Sequence, residues 1–132
     1  MKWLFAVVGI LFLATACSES VSIDYCGDYL DVETDADRWE LAKCFEETAI
    51  ERMDILICNG IGNPVSIETE ERVYSRSTCR ASVYYTIAIN GGNPQKCEMI
   101  DTTVEFYSTV PEEATFTNGA KLKSLCKDAF NI

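Results

Sequence analysis

The chain contains no histidine, and with it go imidazole acid–base catalysis, imidazole metal ligation and the one side chain that ordinarily titrates near neutrality. No Cys-x-x-Cys pair occurs, so neither a thioredoxin-type redox motif nor a zinc ribbon is encoded. Glycine is sparse, and Gly60-x-Gly62 and Gly91-Gly92 lack the strand and lysine that flank a phosphate-binding loop. Basic residues are few, 11 against 21 acidic ones for a net charge of −10, and they form no cluster. That balance argues against a nucleic-acid partner and against direct electrostatic attachment to anionic lipid. The absences leave no catalytic, cofactor-binding or metal-ligating set, and the expectation is a protein that is not an enzyme and carries no cofactor.

What is present points to a small exported domain. Hydrophobic residues make up 48% of 132 positions, enough for one folded core and too many for an acidic disordered tail. Seven cysteines in so short a chain indicate an oxidising compartment. Residues 1–16 carry Lys2, an apolar run from Trp3 to Leu13 and an Ala14-Thr15-Ala16 ending, the three parts of a secretory signal peptide. The run is too short for a transmembrane span of about 20 residues.

Leu13-Ala14-Thr15-Ala16-Cys17 resembles the lipobox of prokaryotic lipoproteins, with leucine one place further from the cysteine than in the commonest pattern. The resemblance implies lipidation of Cys17 after cleavage, with a tether over residues 17–22 ahead of a single cysteine-rich domain over 23–132. Parity agrees: setting Cys17 aside leaves Cys26, Cys44, Cys58, Cys79, Cys97 and Cys126, an even number able to form three bridges. Loss of Lys2 with the leader leaves 10 basic against 21 acidic side chains.

An internal repeat appears when Cys58 is laid on Cys97, 39 residues on: Phe45 meets Tyr84, Ala49 meets Ala88, Ile50 meets Ile89, Asp54 meets Asn93 and Ile61 meets Ile100. Each copy reads as a helical hairpin. In the first, Thr34 and Asp37 have capping-box spacing, and Trp39, Ala42, Phe45, Ala49 and Met53 follow a helical stripe. Asp54 caps a short second helix that Asn59-Gly60 ends. The second copy runs as a helix from Val73 to Asn90; Gly91-Gly92 stops it, Asn93 caps the next turn and Pro94 takes its first position. A last helix after Asn118 carries Leu122, Leu125, Cys126, Ala129 and Phe130 on one face.

The expected fold is therefore mainly α, a small disulfide-stapled bundle of helical hairpins. The alternative is α+β with a short hairpin near 83–107, where Val83–Ile89 is rich in β-branched and aromatic residues and Asn90-Gly91 is a turn signal. Across the first hairpin a Cys44–Cys58 bridge is within reach, Cys79–Cys97 is disfavoured if its helix is unbroken, Cys26–Cys126 would tie the two ends together, and all fifteen connectivities stay open.

The acidic stretches have bland readings. Asp31, Glu33, Asp35 and Asp37 alternate like the start of a calcium loop, but Ala36 and Ala42 stand where an EF-hand needs glycine and glutamate, so they read as a helix N-terminus. Glu68, Glu70 and Glu71, and Glu112-Glu113, read as acidic starts to helical segments. Lys121 and Ser124 share a helix face without the company a nucleophile needs. Tyr74, Tyr84, Tyr85, Phe106 and Tyr107 fit the core better than a partner surface.

In its six cysteines and helices the domain also resembles elicitin-like sterol carriers, but Cys58 and Cys79 stand 21 apart where that family's third and fourth cysteines lie close together. The functional expectation is an exported, lipid-anchored, non-catalytic binding module of the cell envelope, with an unknown protein partner and membrane contact only through the anchor. The alternatives are a secreted carrier of a lipid- or sterol-like ligand, and a secreted inhibitor or effector presenting residues 59–66 or 107–118.

Overall fold

The capping box at Thr34 forms as its spacing requires. The Asp37 amide donates to Thr34 Oγ1 at 3.1 Å, and the Thr34 amide donates to the Asp37 carboxylate at 3.2 Å. From there a computed structural model, which describes Cys26 and residues 33–132, places helix α1 at Asp35–Arg52. A 3-10 helix η1 (Ile55–Gly60), strands β1 (Val65–Ile67) and β2 (Glu70–Tyr74), helix α2 (Arg76–Gly91), a second 3-10 helix η2 (Pro94–Met99) and helix α3 (Gly119–Ala129) follow. The fold is mainly helical with one small antiparallel sheet. The leader, Cys17 and the tether lie outside the described residues.

The repeat is real in the backbone. Each long helix ends on a left-handed residue, Met53 at φ 51° and Gly92 at φ 62°, whose amide turns back to the carbonyl of Ala49 or Ala88. Asp54 and Asn93 then cap the 3-10 turns, accepting from Leu56 N at 2.9 Å and Gln95 N at 3.2 Å. Ile61 and Ile100 close them by donating to the Cys58 and Cys97 carbonyls. Ala49 and Ala88 are fully buried, because a larger side chain at either place would push the returning turn away. The motif returns a third time 39 residues later: Asn131 takes φ 58°, and the Ile132 amide donates to the Lys127 carbonyl, as Asp54 does to Ala49.

Met53 belongs to the cap and not to the stripe; it is 45% exposed, whereas Trp39, Ala42, Phe45 and Ala49 are buried. A left-handed conformation costs a residue with a Cβ about 1–2 kcal/mol, which glycine avoids. Met53→Gly, which copies Gly92, is therefore expected to raise stability by about 1 kcal/mol, less glycine's entropy loss, and thermal unfolding checks this.

Several elements differ from the sequence reading. The helix expected over 73–90 starts at Arg76, because Ser75 and Thr78 form a second capping box and Val73 and Tyr74 are drawn into β2. The β-hairpin lies at 65–74 and not near 83–107; Val83–Ile89 is helical, held between that box and the left-handed Gly92. Glu70 and Glu71 open β2, Glu68 sits in the hairpin turn, and Glu112-Glu113 lie in a turn closed by Ala114 donating to the Pro111 carbonyl, so none of these begins a helix.

The bridges join neighbours in sequence: Cys26–Cys44, Cys58–Cys79 and Cys97–Cys126, with Cα–Cα separations of 5.8, 5.6 and 5.7 Å. None of the three pairings considered from spacing forms. A hairpin fold would staple each 3-10 turn back to the helix before it, whereas each of η1 and η2 is bonded forward, to the helix after it. The loops closed are 18, 21 and 29 residues long. In the chain-entropy account each contributes about 3 kcal/mol. Three intramolecular bridges fit an oxidising, extracytoplasmic compartment. Among the described residues no helix is long and apolar enough to cross a membrane.

Two core clusters result. One gathers Trp39, Ala42, Phe45, Ala49, Ile61 and Tyr74 between α1, η1 and β2; the other gathers Ala81, Ala88, Ile100, Val104, Phe106 and Leu122 between α2, η2 and α3. Tyr74 and Phe106 are core residues, and Tyr84, Tyr85 and Tyr107 are half-buried against the second cluster.

Candidate functional site

Asp35, Arg38, Ala42 and Phe45 fall three or four residues apart, so they share one face of α1. Opposite them run residues 60–66, and the space between is a cleft of about 500 Å³. Its floor is apolar, from Leu41, Phe45, Ile61 and Val65; Asn63, Ser66 and the exposed Arg38–Asp35 ion pair at 2.7 Å supply polar groups. A small or extended ligand fits a volume of this size.

The walls are held firmly. Cys58 is bonded to α2, Arg80 donates to Asn59 Oδ1 at 2.9 Å, and Arg76 Nε donates to the Ile61 carbonyl. Gly60 is needed where it stands, since a Cβ there would lie 2.5 Å from the Phe45 ring. The expected loop 59–66 is thus a rigid wall, while Ser108 at the start of 107–118 is tied to the Glu71 carbonyl.

A buried ion pair fixes the hairpin against α1. Arg72 of β2 donates to both carboxylate oxygens of Glu46, at 2.9 and 2.7 Å, and the two side chains are 17% and 6% exposed. The guanidinium also donates to the Phe106 carbonyl at 3.3 Å and lies over the rings of Tyr74, Phe106 and Tyr107 at 5.0, 4.7 and 5.8 Å. Trp39 Nε1 donates to the Arg72 carbonyl at 2.9 Å, and its ring meets Tyr74 edge-on. Burial pushes the Glu46 carboxyl above the usual carboxylate range, and Arg72 pulls against that shift by charge and by hydrogen bond. Burial, with the Glu46 charge behind it, raises the Tyr74 phenol to about 12.

Sequence reading missed this pair. A signal existed: Glu46 continues the stripe of Trp39, Ala42 and Ala49 at helical spacing, and an acid inside such a stripe needs a cation.

The six cysteines singled out from the sequence are all paired, in three separate places, and they converge on no common site. Among the described residues no group of three His, Cys, Asp or Glu is placed to hold a metal ion. Glu33 and Asp35 are exposed and Asp37 is half-buried around the start of α1, where Thr34 lowers the Asp37 pKa by hydrogen bonding; Asp31 lies outside the described residues. Lys121 and Ser124 are exposed, and Lys123 and Lys127 turn to Glu98 at 3.2 and 2.7 Å, holding its carboxyl below its ordinary range. No protein-family model, curated protein or solved structure matches the chain.

Proposed function

We propose that the chain is an exported, lipid-anchored binding module of the cell envelope that recognises a protein partner without catalysis. The observation that carries the reading is the cleft: an apolar floor between two walls that bridges and buried bonds hold in place. A rigid seat loses little conformational entropy when a ligand docks, which favours recognition. The leader and the lipobox-like residues around Cys17 supply the address, and the three bridges fit a compartment where disulfides persist.

Two measurements on protein from its native host test the reading. Intact mass before and after reduction and alkylation is expected to show an acylated Cys17 and six cysteines that react only after reduction. Crosslinking on intact cells is then expected to trap a discrete partner through residues lining the cleft. An unmodified chain in the medium removes the anchor, and lipid recovered on organic extraction replaces the module with the carrier reading.

A further inference from the structure

We infer that Asn90, in the last turn of α2, is a site of spontaneous covalent modification, its side-chain amide being lost in a reaction with the backbone nitrogen of Gly91. The inference is independent of the binding-module reading.

Asn-Gly pairs occur at 59–60, 90–91 and 118–119. Asparagine before glycine is open to this reaction because glycine has no Cβ to shield its nitrogen. The deprotonated Gly91 nitrogen attacks the side-chain carbonyl carbon of Asn90. A new N–C bond forms, the bond to Nδ2 breaks, and ammonia leaves with a proton taken from water. Water then adds to one of the two carbonyls of the resulting succinimide and reopens the ring. The net change is amide plus water to carboxylate plus ammonium, with no oxidant or reductant. Opening at one carbonyl gives aspartate, and at the other isoaspartate, whose main chain is one carbon longer.

As dipeptides the three pairs are alike, and the fold tells them apart. Asn118 is the N-cap of α3: its Oδ1 accepts from the Lys121 amide at 2.9 Å, and the nitrogen that would attack, that of Gly119, donates to the Val104 carbonyl at 2.7 Å. Asn59 is tied to α2: Cys58 before it is bridged to Cys79, and its own Oδ1 accepts from Arg80 at 2.9 Å. Freeing either pair means parting two elements of the fold. Asn90 and Gly91 are exposed, with nothing within 4 Å of where a Gly91 Cβ would stand. What holds them is local, the last turn of α2 and the amides of Gly92 and Asn93, both donating to the Ala88 carbonyl. In a helix the next nitrogen is turned away from the side-chain carbon, so this turn has to open first. Helix ends open at little cost, and two consecutive glycines favour the open form.

The product alters the turn. Either acid puts a negative charge at the C-terminal end of α2, where the helix dipole disfavours it. The extra carbon of isoaspartate also displaces the amides that return to Ala88, which loosens α2 from η2 while the Cys97–Cys126 bridge keeps η2 on α3.

The test incubates the full mature chain, bridges intact, at mildly alkaline pH and maps it by peptide mass spectrometry with isoaspartate resolved from aspartate. Reduced and alkylated chain in urea is run beside it. In the unfolded chain the three asparagines are expected to react at similar rates. In the folded protein Asn90 should react roughly tenfold faster than Asn59 or Asn118, or more. Gly92→Ala, which strains the left-handed cap, should speed Asn90 and leave the other two unchanged, whereas Arg80→Ala should speed Asn59 alone. Earlier loss at Asn59 or Asn118, equal protection of all three, or a rate at Asn90 unmoved by Gly92→Ala overturns the inference.

Discussion

Arg72→Met is expected to destabilise the protein by about 3–5 kcal/mol, because it leaves Glu46 buried without its cation. The loss should also depend on pH in a direction fixed by that carboxylate. With Arg72 gone, nothing offsets the burial that already raises the Glu46 pKa. The folded variant then holds a proton over a pH range in which the unfolded chain has released it. A raised acid contributes stability that is full below the unfolded pKa and is lost as pH rises through the folded one. Urea unfolding should accordingly show a smaller deficit near pH 5 than near pH 8. A deficit that grows on acidification would mean that Glu46 is solvated and the pair peripheral. Glu46→Leu combined with Arg72→Met should recover much of the loss, since a matched apolar pair leaves no orphaned charge.

The second large effect comes from a single methyl group. Gly119 is the first residue of α3, and a Cβ there would lie 1.7 Å from the Asp101 carbonyl oxygen and 3.2 Å from Thr102 Cα. Neither obstacle is the end of a flexible side chain. The approach is fixed by Gly119 donating to the Val104 carbonyl at 2.7 Å and by the bridge from Cys97 to Cys126. Gly119→Ala is expected to cost about 3 kcal/mol or more and to loosen α3 from η2. Helix propensity alone argues the opposite sign, about 1 kcal/mol in favour of alanine. Gly91→Ala separates the two effects: it lies at the end of α2 with nothing within 4 Å of a new Cβ, so alanine should help there. Thermal unfolding of both variants decides, and a Gly119→Ala variant stabilised as Gly91→Ala is would mean that the close approach at Gly119 does not exist in solution.

Much of the helical scaffold could be read from local signals because local signals set it. Thr34 with Asp37, Asp54, Asn93-Pro94 and Asn118 each bond within a few residues of themselves, and no distant element has to agree. The 39-residue repeat was visible for the same reason, since Ala49, Ala88 and the cysteines after them serve one turn geometry. The hairpin at 65–74 was hidden because β1 is three residues long and β2 opens with Glu70-Glu71, which look like a helix start. What draws that segment into a sheet lies elsewhere: the Trp39 indole, the Glu46 carboxylate and the backbone at 106–108. The cleft inherits that dependence, since one of its walls exists only where α1 and β1 meet. The bridge pattern stayed open in the sequence because the strands and loops between each 3-10 turn and the next helix bring Cys58 to Cys79 and Cys97 to Cys126, a return that spacing does not reveal.

The forward pattern of bridging bears on how the chain acquires its covalent form. A polypeptide threaded through a membrane N-terminus first delivers Cys26 and then Cys44, and their bond can close before Cys58 arrives; the next two pairs follow in turn. Oxidation in order of arrival therefore yields the native set directly out of fifteen arrangements, with no thiol kept waiting for a distant mate. Simple oxidants should suffice during export, and shuffling by thiol–disulfide exchange becomes a repair step only when the full-length chain is oxidised after it has been reduced and unfolded.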